Sequence, residues 1–439
     1  MTSDPVSTEP GVAPAVPHYA PLLALDQEAV RCPYPYFERL RNESPVEWIE
    51  ELGCFAVSRY TDVLEVLRNP EVFSSRMPTG AKATNQLLGY LMELLQESGE
   101  LRAVLGETGP IGLAPVLLNA DPPAHNRQRA LVSRAFSPRR VQQLEPQIRE
   151  IADRLIDGFA ARGSCEFVHE FAVGLPLTVI ARALGVPEVD MPVFKRWSDD
   201  FVVAIGNHRL TKERLADLLR TQAEFFSYFS ATIEERRRQP RDDLLTDVVQ
   251  ARMDGTEPLT THEMLGMLSQ FLVAGNETTT KLLASAMLLL LREPELMARL
   301  RADYSLIPGF IEEALRLEAP VQGLFRMANV DTDVGGVPIP AGSSIWVLYA
   351  SANRDAAEFA DPDRLDPCRP NAKLHLAFGQ GIHYCIGASL SRAEGRIAFE
   401  ALLDRFEDIA LAPGNSFEFE PSYALHGLKA LHLQLRARA

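Results

Sequence analysis

The chain has 439 residues, with 44 Lys and Arg against 59 Asp and Glu, a formal net charge of −15. Hydrophobic residues make up 46% and charged residues 23%, which excludes collagen-like, disordered and disulfide-scaffold classes and leaves enough apolar side chain for a large core. An acidic balance of this size argues against nucleic acid as a partner and for solubility.

In chain order, residues 1–21 carry Pro5, Pro10, Pro14, Pro17 and Pro21 and read as an extended, poorly ordered arm. They have neither the basic nor the apolar region of a secretory signal. From residue 22 to 439 no linker or repeat divides the chain, so one mostly helical domain is expected; the protein is expected to be a monomer. Helical patterns cover Tyr60–Arg68, Ala124–Phe136, Gln142–Arg162, Leu175–Leu184, Lys212–Gln239, Asp242–Asp254, Thr261–Arg292, Pro308–Leu317 and Gly387–Phe406. Strand signals are short, at Gly53–Ser58, Leu324–Val330, Val337–Pro340 and Ser344–Leu348. The fold class is therefore mainly α with small β-sheets. The longest apolar run, Leu282–Leu291, is too short to span a bilayer. The five cysteines are odd in number and widely spaced, with no CxxC pair, as expected of a reducing cytoplasm.

One helix stands apart. Thr260 and Glu263 form a capping-box pattern before Thr261–Arg292, and Pro294 closes the stretch. At ~1.5 Å per residue it makes a rod of ~48 Å. Its polar residues, Asn276–Thr280, lie in the middle with apolar residues on both sides. A charge there points to function.

The strongest chemical signal is Phe378-Gly379-Gln380-Gly381-Ile382-His383-Tyr384-Cys385-Ile386-Gly387. Gly379 and Gly381 allow a tight loop with backbone N–H groups toward the sulfur, and the helix that follows puts its positive end beside it. Both effects favour thiolate, which makes Cys385 a nucleophile or a metal ligand. The block resembles the haem-ligand loop of cytochrome P450 enzymes, pattern FGxGxHxCxG. The resemblance implies haem b, with the Cys385 thiolate as axial ligand, Gly379, Gly381 and Gly387 shaping the loop, His383 on a propionate and Phe378 packed beside the sulfur. In that family the thiolate pushes electron density toward O–O cleavage.

Three further motifs match in order. Glu313 and Arg316, at i and i+3 on one helix face, resemble the ExxR pair that ties the haem-side core to the meander; Glu312 competes, but only Glu313 has Arg three residues on. Ala274-Gly275-Asn276-Glu277-Thr278 resembles the [AG]GxxT motif of the central helix over haem. There Thr278 is placed to bond the Ala274 carbonyl, Gly275 to give a small ligand room, and Glu277 with Thr278 to form an acid–alcohol pair. His125 and Arg129 share a helix face after Asp121-Pro122-Pro123 and resemble a propionate-binding HxxxR, joined by Arg326 from a strand. Ala352–Asp355 and Phe359–Arg364 resemble the strand–turn and meander of bacterial members.

The resemblance implies a monooxygenase acting with O2 on an apolar small molecule, by hydroxylation or epoxidation. Electrons would come from NAD(P)H through a separate ferredoxin or flavodoxin, since the chain carries no redox module. A peroxide-driven enzyme usually lacks the acid–alcohol pair, a non-catalytic ligand binder does not need the full motif set, and a zinc site on His375, His383 and Cys385 lacks a fourth ligand. Pocket segments are expected near 76–118, 190–212, 320–325 and 423–427, with Phe271, Leu272, Leu324 and Phe325 as apolar lining. Residues 125–140 carry five arginines and no acid. At ~100° per residue, Arg127 and Arg134 lie opposite His125 and Arg129. With Arg139, Arg140 and Arg392 they are expected to form a basic docking face for the electron donor.

Overall fold

The helix Thr261–Arg292 has the predicted ends and runs between two cores. The capping box is complete: Glu263 N–H donates to Thr260 Oγ1 (3.1 Å) and Thr260 N–H to Glu263 Oε2 (2.9 Å). Met264 to Leu272 belong to one buried apolar cluster and Leu282 to Leu290 to another. The polar mid-section falls at the seam between them. A third cluster lies under the largest sheet. The structure, a computed structural model, describes residues 19–76, 81–99, 101–102, 115–203 and 210–438.

Helices Gly174–Ala183, Met191–Val202, Ile307–Leu317 and Ala388–Arg405 pack on this rod. The strands are β1 (Val46–Ile49), β2 (Cys54–Val57), β3 (Phe73–Ser74), β4 (Ser164–Glu166), β5 (Leu324–Ala328), β6 (Thr332–Val334), β7 (Val337–Ile339), β8 (Ser344–Val347), β9 (Phe406–Leu411) and β10 (His432–Ala437). They form a five-stranded sheet in the order β1-β2-β8-β5-β3, a three-stranded sheet β4-β10-β9 and a β6-β7 pair. The β5–β8 register pairs Arg326 with Ile345, which fixes the arginine in the sheet interior.

Several boundaries differ from expectation for local reasons. The helix expected over Ala124–Phe136 stops at Val132, where Ser133 Oγ bonds back to the Arg129 carbonyl (2.6 Å). The next helix starts at Pro138 rather than Gln142, because Ser137 caps the Arg140 N–H and proline suits the first turn. The helix expected over Asp242–Asp254 is only Leu244–Val249, capped at Gln250, and a separate turn at Gly255 with φ +70° follows between Met253 and Thr256. β4, β9 and β10 had no sequence signal clear of the helical pattern. The proline-rich arm lies outside the described residues up to residue 18, and the chain is already helical over Ala20–Leu23. The expected pocket segments 76–118 and 190–212 fall partly outside them as well. No helix among the described residues is long and apolar enough to cross a membrane.

Candidate active site around Cys385

The Cys385 loop leaves the meander and enters the helix Ala388–Arg405. Gly379 and Gly381 have φ of +66° and +71°, and a Cβ on Gly381 would stand 2.5 Å from the Leu67 carbonyl oxygen. Only glycine allows the loop to close that tightly on the helix Tyr60–Arg68. Cys385 N–H donates to the Phe378 carbonyl (2.9 Å), which closes the loop on itself. Burial pushes the Cys385 thiol up, and this outweighs the Gly387 and Ala388 N–H groups and the Arg129 and Arg392 charges that favour thiolate. The N–H groups aimed at sulfur come from Gly387 and Ala388, at the start of the helix, and act in the expected direction while burial opposes them.

Four cationic or titratable side chains converge beside this loop. The His125 and His383 rings lie 4.2 Å apart and are tilted by 47°. His383 Nε2 is 3.0 Å from Ser75 Oγ. Arg129 donates to the Tyr384 carbonyl (2.6 Å), and Arg326 donates to the Phe325 carbonyl and hydrogen-bonds the Tyr349 hydroxyl. Burial, then the charges of Arg326, His125 and Arg129, push His383 down to about 2. Among the described residues no carboxylate forms an ion pair with Arg129, Arg326 or His383.

Halfway along the long helix the polar side chains diverge. Asn276 bonds Ser198 Oγ (2.8 Å) and Thr280 the Ala172 carbonyl (3.1 Å), both facing neighbouring helices. Thr278 Oγ1 donates to the Ala274 carbonyl (2.7 Å), the back-bond expected from its spacing. Glu277 forms an ion pair with Lys281, one turn on. Thr279 reaches Ser391 Oγ (3.4 Å) and the buried Glu394, so the helix after Cys385 packs directly under this segment. Ala274 is exposed, and Gly275, Glu277 and Thr278 are half-buried, in a helix sealed on most other sides. A Cβ on Gly275 would meet Ile180 at 3.5 Å, an ordinary van der Waals contact.

Glu313 and Arg316 are both fully buried and paired through two bonds. Arg316 also donates to the Asn353, Pro362 and Arg364 carbonyls, and Arg369 gives Glu313 a second cation. Glu312, the competing candidate, serves another purpose. It accepts from Arg392 (2.6 and 3.0 Å) and His375 (3.0 Å), while Arg392 lies 4.5 Å over the Phe378 ring. Burial raises the Glu312 carboxyl, but the His375 and Arg392 hydrogen bonds outweigh it and hold it at about 2. His375 is thereby committed to a carboxylate, and no cluster of three metal-ligating side chains occurs among the described residues.

The basic face is only partly free. Arg127 is held by Glu263 and by the Glu257 and Pro258 carbonyls, and Arg140 by Asp242 and Asp247. Arg134 and Arg139 are exposed. Of the expected apolar lining, Leu324 is half-exposed, whereas Phe271, Leu272 and Phe325 are buried, Phe325 stacked on Trp346. The sequence reading missed Lys281, Glu394 and Tyr349. The Glu277–Lys281 spacing of four is a helix ion-pair pattern and was the available signal for Lys281; nothing local marked Glu394 or Tyr349.

These residues fit haem. A cluster of His125, Arg129, Arg326 and His383 without a paired acid suits two propionates. A cysteine at a helix N-terminus could hold the haem iron as its thiolate, and Ala274 is exposed on the long helix above it.

Three kinds of comparison agree with this geometry. The family model described as "Cytochrome P450" matches residues 209–421. The chain is 37% identical over 430 residues to the cytochrome P450 monooxygenase PikC of Streptomyces venezuelae, covering 96% of this chain and 95% of that one. It superposes on the structure of cytochrome P450 CYP109Q5 from Chondromyces apiculatus with a TM-score of 0.80, 39% identity and coverage of 94% and 98%. CYP109E1 from Bacillus megaterium, solved in complex with corticosterone, gives 0.79, 33%, 93% and 99%.

Proposed function

The chain belongs to the cytochrome P450 family, a family of haem-thiolate monooxygenases, and from that premise we propose that it inserts one oxygen atom from O2 into an apolar small molecule, with Cys385 as the haem ligand. The observation that carries the reading is the acid–alcohol pair: Thr278, back-bonded to Ala274, stands next to Glu277 on the half-open face of the long helix. Haem, when bound, supplies the oxygen chemistry; the protein supplies binding, orientation and protons.

Each residue has a stated task in this reading. Cys385 gives the thiolate, stabilised by the Gly387 and Ala388 N–H groups. Arg129 and Arg326, with His125 and His383, bind the propionates. Phe378, covered by Arg392, shields the sulfur from water. Glu277 collects a proton and the Thr278 hydroxyl hands it into the pocket. Glu313 and Arg316 hold the meander under the Cys385 loop. Substrates of steroid size are favoured by the corticosterone complex of CYP109E1. The acidic charge and five free cysteines support a place in the cytoplasm. Electrons come from NAD(P)H through a ferredoxin or flavodoxin that docks on the exposed Arg134 and Arg139.

Reduced protein under carbon monoxide tests the assignment. The red-shifted Soret band of thiolate-bound haem is expected in the wild type and lost in Cys385→Ser. A histidine-type band in the wild type overturns it.

A further inference from the structure

Lys281 is a charged side chain in the interior of the protein, with only 5% of its side chain exposed, and it is one helical turn beyond Glu277. Its ammonium pairs with the Glu277 carboxylate, whose own side chain is 18% exposed. A lysine buried to this degree is rare unless it is paired, and the pairing explains how it is kept.

The stem of Lys281 has a second restraint. A Cβ on Gly427 would lie 2.9 and 3.2 Å from Lys281 Cδ and Cε and closer still to Cγ. The lysine therefore runs along bare backbone, and glycine is needed because any side chain would strike the stem. The loop that carries Gly427 is itself tied down. His426 N–H donates to the Pro320 carbonyl (3.0 Å), and its ring pairs with Glu318 (2.9 Å). Gln322 N–H donates to the Ala424 carbonyl (2.7 Å), and Leu425 bridges Val321. Two chain segments expected to wall the ligand pocket, around 320–325 and 423–427, are thus fastened together, and the second lies against this lysine through Gly427.

We propose that Lys281 is a positioning residue for proton delivery: the 423–427 loop fixes Lys281 through Gly427, and Lys281 fixes the Glu277 carboxylate beside Thr278. This rests on the acid–alcohol reading above and deepens it. A ligand that shifts the loop shifts the lysine and, through it, the acid, so filling the pocket and supplying protons are linked mechanically. A carboxylate on a free two-carbon stem samples several rotamers. Tethered to Lys281 it keeps one, as a relay to a neighbouring hydroxyl requires.

The test uses haem-loaded full-length protein, supplied with electrons by a ferredoxin and its reductase, with dioxygen as the only acceptor. The reading is peroxide released per NAD(P)H oxidised. Lys281→Met, which keeps the stem and removes the charge, is expected to raise that ratio several-fold, as is Glu277→Gln. The double variant is expected to go no further than either single one. Gly427→Ala, which alters neither charge, is expected to move the ratio in the same direction. A raised ratio in Glu277→Gln with a wild-type ratio in Lys281→Met overturns the positioning role and leaves the relay reading standing. A wild-type ratio in Glu277→Gln removes the relay reading itself. Denaturant unfolding gives a readout independent of turnover. Lys281→Met should destabilise the otherwise wild-type protein clearly and the Glu277→Gln variant much less, because only the first change leaves a buried charge alone. Equal losses in the two backgrounds overturn the pairing.

Discussion

Glu313 and Arg316 meet through bonds of 2.6 and 2.9 Å with neither side chain reaching solvent. The pair is not symmetrical, because Arg369 also points at Glu313, at 3.0 Å. Removing Glu313 takes the counter-charge from two guanidinium groups, whereas removing Arg316 leaves Glu313 with a cationic partner. Breaking a buried pair from one side costs about 3–5 kcal/mol. Glu313→Ala is expected at or beyond the upper end, with little haem-loaded protein recovered, and Arg316→Ala nearer the lower end. Urea unfolding of both variants checks the order, and losses below that of an ordinary surface substitution contradict it.

Glu394 is buried under the long helix, and burial lifts its carboxyl to about 8, with the Thr279 hydrogen bond opposing the rise. The folded protein then keeps this proton through a range in which the unfolded chain, with an ordinary carboxyl near 4.5, has lost it. Fewer protons on the unfolded state mean that stability falls as pH rises from about 4.5 to 8 and levels off above. The slope from one group is at most about 1.4 kcal/mol per pH unit. Glu394→Gln removes that slope, so the variant should gain on the wild type steadily between pH 6 and pH 8. Parallel stability curves would show that Glu394 is not titrating in this window.

The long helix and the Glu313–Arg316 pair were legible in the sequence because each is written locally. Thr260 with Glu263 caps one end, Pro294 closes the other, and the ExxR spacing sets one face. The Thr278 back-bond follows from the same periodicity. What escaped depends on distant partners. Gly275 gives the same signal wherever its bare face points, and only the fold places Ile180 against it. Arg127 faces away from His125 as the wheel requires, yet Glu263 from the long helix meets it there. Strand β4 pairs with β10 from far along the chain, and β9 is a short segment that follows directly on a helix, so no local pattern marks this sheet.

Thr278→Ala removes the hydroxyl that bonds Ala274 and leaves the surrounding packing nearly intact. Substrate-binding spectra should be unchanged. Product per NAD(P)H should fall by about tenfold or more and peroxide should rise, given the ~10²–10⁴-fold contributions of positioned acid–base groups. Thr278→Ser should restore most of the coupling. Unchanged coupling in Thr278→Ala would remove the hydroxyl from proton delivery.

The electron donor gives the last prediction, and the structure divides the basic segment in two. Arg127 has only 27% of its side chain exposed and closes on Glu263, the residue that completes the cap of the long helix. Arg140 is occupied by Asp242 and Asp247. Charge reversal at Arg127 or Arg140 should therefore lower stability and leave docking largely untouched. Arg134 and Arg139 stand exposed in a protein with a net charge of −15. An acidic ferredoxin is repelled by the molecule as a whole and attracted locally, a combination that orients approach. Arg134→Glu with Arg139→Glu should slow reduction by ferredoxin at low salt without altering substrate-binding spectra or unfolding. The deficit should narrow as salt rises and the Debye length falls from about 10 Å at 0.1 M toward 3 Å at 1 M, because the wild type loses its steering advantage. Stopped-flow reduction under carbon monoxide follows the first electron directly. Equal rates for the double variant and the wild type at low salt would move the docking site elsewhere.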